Sequence, residues 1–416
     1  MLKFRWETEF KETEIGEIPR EWEVCKIKDF YKLQYGITTS SCEYGNYRLL
    51  RQSELKDGNI ETQLIPYANI DERKAESFIL KEGDIVISRI ANVGSVGYID
   101  KRILNFLDKP LIFGSYLLKF IPLKDVNNKY TFYFIASSYM QDYIKSIAEG
   151  STRQNTNAKV VGEFPFIFPP LPEQSRIATV LSWFDDLIEN KKRQNEILEK
   201  TAMAIFKSWF IDFEPFKDGE FVYNEELGRE IPKGWGVKRL GKVVYFFDNK
   251  RIPLSEVERL NKKGPYPYYG ANGIIDYIND YIFDGKYLLV AEDGTVIDSG
   301  GFAVINIAEG KFWANNHVHV IQGKEVSIEY LYLILKHYPI EPYITGAVQP
   351  KLSQGNFSKM PILLPPPPIL QSFHSLVEPL FQKIILNQKQ IMILRKVRDT
   401  LLPLLVFGKL RVEEIE

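Results

Sequence analysis

One phrase in this chain occurs twice, and that repetition limits the folds open to it more than any other feature. Glu17-Ile18-Pro19-Arg20-Glu21-Trp22 returns as Glu230-Ile231-Pro232-Lys233-Gly234-Trp235. Gly83-Asp84-Ile85-Val86-Ile87-Ser88-Arg89 reads as a buried strand entering a polar loop, and Gly285 to Gly294 repeats that plan. The aromatic run Tyr130–Ile135 is echoed by Glu329–Ile334, and Gly150-Ser151 by Gly346-Ala347. Pro165, Pro169, Pro170 and Pro172 match Pro361, Pro365, Pro366 and Pro368 at one constant offset. A solenoid repeats over far shorter periods, so each copy is a whole domain with an appendage.

The appendage is helical. After each proline cluster, mainly apolar positions step by four and three. The first series is Ile177, Leu181, Phe184, Ile188, Lys191, Asn195, Leu198, Ala202, Ile205 and Trp209. The second is Phe373, Val377, Leu380, Ile384, Asn387, Ile391, Leu394, Arg398, Leu401 and Leu405, at the same offset throughout. A mean step of 3.5 residues is a coiled-coil seam, here about 33 residues or roughly 50 Å long. The polar positions Lys191, Asn195 and Asn387 favour two strands, where such residues fix register. If the helices run antiparallel, Ile177 faces Leu405, Trp209 faces Phe373, and Asn195 meets Asn387. Glu173-Gln174 suits a helix start. Pro379 is expected to kink the second seam or delay its start, and Pro403 to loosen its end.

Before the helices, residues 20–160 and 232–357 mix short β-rich runs, glycine turns and one aromatic helix each. Tyr47–Leu50 and Ala303–Ile305 are expected strands, which makes these segments α+β domains. Their sequences diverge while their plan is shared.

Composition narrows the class. The 45 % hydrophobic and 26 % charged content is that of a globular protein and leaves no long disordered tract. No signal peptide or membrane span is expected. Two cysteines, Cys25 and Cys42, make no disulfide framework and suit the cytoplasm. With a net charge of −1, any phosphate-binding surface must be a local patch.

Catalytic motifs are not found. Gly236–Val243 nearly forms a phosphate loop, but Val243 replaces the magnesium-binding hydroxyl, so it reads as a domain-entry turn. His317-Val318-His319 would place two imidazoles on one strand face. Further ligands are lacking, since His337 and His374 lie elsewhere, and the pair reads as structural or DNA-facing rather than metal-binding. Glu54-Leu55-Lys56 and Asp71–Lys74 do not recur in the other copy. Phe168 and Leu364 precede the Pro-Pro pairs, where an adenine-methylating loop needs an amide or carboxylate. The stretch Gly150–Lys159, by contrast, is rich in the Arg, Gln, Asn and Lys side chains that reach phosphates and base edges.

In this order, twice over, the features resemble the specificity subunits of Type I restriction–modification systems. The likeness rests on the Glu-Ile-Pro-x-x-Trp openings and on Gly83–Gly94. It rests also on Tyr266-Pro267-Tyr268-Tyr269-Gly270-Ala271-Asn272-Gly273, and on Phe168-Pro169-Pro170-Leu171-Pro172-Glu173-Gln174 leading into a long helix. The second copy departs at Pro367-Pro368-Ile369-Leu370-Gln371, which lacks the Glu-Gln pair.

The resemblance implies an α+β chain with a pseudo-two-fold internal repeat. Target-recognition domains would span 1–165 and 216–361, with spacer helices in 166–215 and 362–416 forming an antiparallel coiled coil. It implies a non-catalytic subunit that reads a bipartite, asymmetric site on double-stranded DNA. Two methyltransferase subunits and restriction/translocase subunits would be its partners. S-adenosylmethionine, Mg and ATP would belong to those partners, with no cofactor or metal in this chain. Candidate DNA contacts are Arg51, Gln52, Arg89, Asn92, Arg153 and Gln154 in the first domain. In the second they are Tyr269, Asn272, Asn316, His317, Gln349 and Lys351. The rival reading is a coiled-coil scaffold whose domains bind something other than DNA.

DNA half-sites one helical turn apart are separated by roughly 34 Å, which a seam of this length can span. Deleting one heptad from each helix is therefore expected to change the spacing between the two parts of the site. An unchanged spacing, read by methylation mapping, would show that the helices are not the ruler.

Overall fold

In both repeats, β-branched and aromatic runs build the same four-stranded antiparallel sheet. The structure is a computed structural model that describes residues 2–56, 58–149, 156–298, 300–346 and 349–414. In the first repeat the strand order is Tyr31–Tyr35, Leu117–Pro122, Ile85–Ser88, Val96–Tyr98. In the second it is Val244–Phe246, Val318–Gly323, Phe283–Ala291, Ile305–Ala314. Ile85–Ser88 is wholly buried, as a central strand with both faces covered should be.

The aromatic runs form short helices on these sheets, Asn128–Ala136 and Ile328–Leu335, capped by the Asn127 and Ser327 side chains. Tyr130 and Tyr330 are fully buried, and their hydroxyls donate to the carbonyls of Ile167 (3.0 Å) and Leu363 (2.8 Å). Each buried phenol is thereby satisfied by the strand that leads into a long helix. Those strands, Pro165–Phe168 and Pro361–Leu364, pair with Glu23–Lys26 and Gly236–Arg239. The expected turn at Gly236–Val243 is thus a strand followed by one helical turn, Leu240–Val243. The strand expected at 303–305 begins only at Ile305, because Ala303 makes an isolated bridge to Ile297.

The sheets diverge by insertions in this frame. In the first repeat, Leu111–Phe113, Tyr47–Leu50 and Tyr67–Ala68 form a separate small sheet. In the second, the hairpin Lys263–Gly270/Gly273–Ile278 joins Ile305–Ala314 by parallel pairing and extends the main sheet to six strands.

Leu171–Phe210 and Pro367–Val406 are helices of 40 residues each. The second runs unbroken through Pro379 and Pro403, so neither proline ends it. Burial of Val377, Phe381 and Leu405 outweighs the backbone bonds the prolines remove. None of the seam positions is exposed. The chain divides into two compact units, residues 1–190 with 390–416, and residues 191–389. Each takes one globular segment and half of each helix, so packing cuts across the four consecutive segments drawn from the sequence.

In the second unit, Asn387 is fully buried and its amide donates to Asn195 Oδ1 (2.9 Å) and Gln194 Oε1 (3.2 Å). Asn195 donates to the Ile384 carbonyl (3.4 Å). Trp209 and Phe373 rings lie 5.9 Å apart. Positions rising along one helix meet positions falling along the other, which is antiparallel packing. Beside the aromatic helix the seam widens into a cluster of Phe206, Phe210, Tyr330 and Phe373.

In the first unit the helix halves are also antiparallel. Ile177, Leu181, Leu402 and Leu405 share one core, and Arg398, at a seam position, pairs with Asp185 (2.7 Å). Beyond the second helix, Gly408 takes φ +68°, and any side chain there would collide with Pro19 and Trp22. Leu410–Glu414 then pairs antiparallel with Leu2–Trp6. This ribbon inserts Arg411 beneath Trp22, where its guanidinium grips Glu173 (2.5 and 2.6 Å), Glu21 (2.6 Å) and Glu7. Glu173 also accepts the Trp22 indole N–H (3.2 Å), and Gln174 receives the Asn127 backbone N–H (2.9 Å). The Glu-Gln pair therefore lies in the first turn of its helix, as the sequence suggested, and is an internal tie as well. The second repeat places Ile369 and Leu370 there, beside the apolar cluster of Trp235 with Phe210, Phe213 and Phe216.

Removing one member of a buried ionic cluster leaves the others unpaired. Arg411→Ala should therefore destabilise the first unit by about 3–5 kcal/mol. Glu173→Ile combined with Arg411→Leu, which copies the apolar solution of the second unit, should recover most of that loss in urea unfolding.

Candidate nucleic-acid interface

At one end of each sheet the same backbone node appears. In the first unit the Arg89 N–H donates to the Tyr116 carbonyl (3.0 Å), and the Arg89 carbonyl accepts the Thr156 N–H (2.8 Å). In the second, the Glu292 N–H donates to the His317 carbonyl (2.9 Å), and the Glu292 carbonyl accepts the Leu352 N–H (2.7 Å). Arg89 thus corresponds to Glu292, Tyr116 to His317 and Thr156 to Leu352. Three loops meet at each node: the turn after the second repeat motif, the turn before the next sheet strand, and the polar segment after the aromatic helix.

The side chains at the two nodes differ. In the first unit, Arg89 Nε donates to the Ser115 carbonyl (3.0 Å), and its guanidinium lies 5.3 and 5.9 Å from the Tyr35 and Tyr116 rings. Both rings are almost half exposed. Two aromatic faces and a carbonyl hold the cation at the surface. The Tyr35 hydroxyl accepts the Ala158 N–H (3.0 Å), tying the polar segment to the same patch. Asn92 is exposed in the adjoining turn, where Ala91 takes φ +62°, a strained conformation for a residue with a Cβ.

Arg51 and Gln52 follow the strand whose Leu50 carbonyl receives the Gly114 N–H, one residue before Ser115. Arg51 is paired with buried Glu54 (2.7 Å), so much of its charge is already engaged in shaping that turn. Arg153 and Gln154 lie outside the described residues.

In the second unit, Asn316 and His317 are exposed, and His317 Nδ1 pairs with Asp293. Gln349 and Lys351 are exposed on the third loop, and Lys351 Nζ lies 3.3 Å from Glu292. Asn272 is exposed at the hairpin tip. Tyr269 is placed differently. Its ring is buried edge-on to Phe312 (5.5 Å), and burial pushes its phenol up to about 12. What Tyr269 offers the interface is its carbonyl, which accepts the Asn315 N–H (3.1 Å) and docks the Asn316–His317 turn on the hairpin.

The two histidines do not share a strand face, because His317 lies in the turn before the strand Val318–Gly323 that carries His319. The His317 side chain is 51 % exposed and that of His319 is 1 %. His319 lies with Asp248 and Glu292 in a group whose potential donor atoms are within 4.8 Å of one another. This donor set does not fit a cation. Arg251 donates to Glu292 (2.7 Å), Lys351 faces the same carboxylate, and the His319 nitrogens are bonded to Asp248 and to the Leu352 carbonyl. The group is a tie of two carboxylates with Arg251, Lys351 and His319. Sequence reading missed Tyr35, Tyr116, Asp248, Arg251 and Glu292. Each gains its place only when strands distant in sequence pair.

Among the described residues no helix is long and apolar enough to cross a membrane. The family profile described as Type I restriction modification DNA specificity domain matches residues 19–200 and 232–394. The specificity subunit of the Type I restriction enzyme MjaIX from Methanocaldococcus jannaschii is 41 % identical over 439 residues, spanning 100 % of this chain and 99 % of that one. A putative Type I restriction enzyme specificity subunit from Haemophilus influenzae is 40 % identical over 130 residues, 31 % of this chain and 33 % of its own. The crystal structure of the Type I restriction–modification S subunit from M. genitalium matches with a TM-score of 0.54, over 92 % of this chain and 96 % of that one. At 20 % identity that likeness is one of fold. With its family profile matched in both repeats, and a relative 41 % identical from end to end, the chain belongs to the Type I restriction–modification specificity subunits, as a recognition subunit and not a catalytic one.

Proposed function

We propose that the chain reads a bipartite, asymmetric sequence on double-stranded DNA, one part with each unit, and directs methyltransferase and nuclease subunits to it. The observation that carries this reading is the repeated node. One backbone arrangement presents Arg89 between two tyrosines in the first unit, and Asn316, His317 and Lys351 in the second. Identical backbones with different donors and acceptors are what reading two different words requires. In this reading Arg51, Gln52, Arg89, Asn92, Arg153 and Gln154 serve one part. Asn272, Asn316, His317, Gln349 and Lys351 serve the other, with Tyr269 acting through its backbone.

The chemistry belongs to the partners in this reading. S-adenosylmethionine, Mg and ATP would bind there, and the complex would work in the cytoplasm. Two methyltransferase subunits would dock on the long helices. These expose Trp183, Leu187 and Ile393 in the first unit and Ile197, Leu376 and Leu386 in the second, apolar side chains outside the seam.

Methylation mapping of DNA from cells carrying this chain and its cognate methyltransferase tests the reading directly. A two-part motif is expected. Arg89→Ala should cost about 1–3 kcal/mol in binding and relax a position in one part alone if it contacts a base. Lys351→Ala should weaken all sequences alike if it contacts a phosphate. Wild-type affinity in both variants at moderate salt would refute this assignment of the surface.

The docking surface has its own test. Trp183→Glu places a charge on an exposed apolar position. It should reduce the number of methyltransferase subunits bound in native mass measurements while leaving thermal unfolding of the chain unchanged. Full two-partner stoichiometry in Trp183→Glu and Leu376→Glu variants would contradict docking at these positions.

A further inference from the structure

Among the described residues, the second unit contains a polar link that the first lacks. His319 is fully buried on the strand Val318–Gly323, stacked on Phe357 (5.7 Å between centroids) and edge-on to Phe246. Its Nε2 lies 2.7 Å from the Leu352 carbonyl. A carbonyl only accepts, so Nε2 carries a proton. Its Nδ1 lies 2.6 Å from Asp248 Oδ2, and Asp248 Oδ1 accepts the Val320 N–H (3.0 Å). The carboxylate is locked to the strand and the ring to the carboxylate, so the ring's remaining nitrogen has one direction in which to point.

It points at the base of the loop that carries Gln349 and Lys351. Leu352 is therefore held twice, by its N–H on the Glu292 carbonyl and by its own carbonyl on His319. In the first unit, Thr156 has the corresponding N–H bond to Arg89. The residue corresponding to His319 there is Leu118, apolar and fully buried. The same strand position packs well with leucine, and burying an imidazole–carboxylate pair costs desolvation that leucine avoids. Stability alone gives no reason for histidine at 319; orientation of the loop does.

We propose that His319, aligned by Asp248, is a positioning residue for recognition of the DNA part read by the second unit. This rests on the two-unit reading above. His319 touches no DNA. It fixes Leu352, and with it the exposed donors of Gln349 and Lys351.

The experiment uses the full chain assembled with its methyltransferase subunits. It measures binding to duplexes carrying the mapped site, or that site with one base pair changed in either part. The part affected by Arg89→Ala is assigned to the first unit. His319→Leu, which installs the first unit's residue, should lower discrimination by about tenfold or more in the other part, the scale of one lost base contact. Discrimination in the first unit's part should stay at the wild-type level. Asp248→Asn should retain wild-type discrimination, because its amide can donate to Nδ1 while Nε2 keeps its proton for Leu352. Asp248→Ala, which frees the ring without removing it, should reproduce the one-sided loss, and it decides the matter if His319→Leu folds poorly.

Unchanged discrimination in both His319→Leu and Asp248→Ala would overturn the proposal, as would a loss in Asp248→Asn as large as in His319→Leu. If the wild-type complex discriminates in neither part, the two-unit reading itself fails, and that outcome is distinct from either.

Discussion

Each unit depends on core closure by helix segments that come from far along the chain. In the first, Leu402, Leu405 and Val406 enter the core that holds Trp22, Tyr130 and Phe166. In the second, Ala202, Phe206 and Phe210 enter the core that holds Trp235, Tyr330 and Phe373. Neither globular segment has a complete core of its own, because its aromatic helix is covered on one side only by the sheet. The long helices supply the other cover. This explains why their seam pattern widens beside the aromatic helices, and why proline at 379 and 403 is tolerated in a continuous helix. Val377 and Phe381 beside Pro379, and Leu402, Leu405 and Val406 beside Pro403, are buried, and their apolar contacts outweigh the backbone bonds that proline removes.

On that frame the structure separates what must be constant from what must vary. The four-stranded sheet, the capped aromatic helix, its anchoring tyrosine and the backbone node are common to both units. The insertions and the side chains at the node differ, as do the terminal ribbon of the first unit and the residues it ties. Backbone hydrogen bonds place three loops without regard to side-chain identity, so a loop can change its donors and acceptors while its position is kept. A recognition subunit can then acquire a new word without rebuilding its core.

Buried polar groups occur where a position must be unique and not merely stable. Arg411 with Glu173 holds the terminal ribbon under Trp22, at a place where the second unit uses an aromatic cluster. His319 with Asp248 holds Leu352, at a place where the first unit has a leucine. Asn387 with Asn195 sits in a mostly apolar seam, and a slip of one layer would leave Asn195 against Ile384 or Ile391, at about 1–3 kcal/mol. In the first two pairs the apolar counterpart in the other unit shows that packing has a cheaper solution, and that the polar one adds direction.

The sequence by itself determined the duplication, the α+β class, the two long helices, and the partners Asn195 with Asn387 and Trp209 with Phe373. These follow from periodicity and from a constant offset, and both are properties of the chain read in order. It also brought Arg89, Asn316, His317 and Lys351 forward, because the repeat marks the loops they occupy. The tertiary structure alone decided the rest. It divided each helix between two units, buried Tyr269, parted His317 from His319, and gave Glu173, a helix-start residue, Arg411 as its ion-pair partner. Tyr35 and Tyr116 reach Arg89, and Asp248 and Arg251 reach Glu292, only through pairing of strands tens of residues apart. Those contacts depend on which strand lies beside which, and hydrophobic periodicity records the face a residue takes but not its neighbour across the sheet.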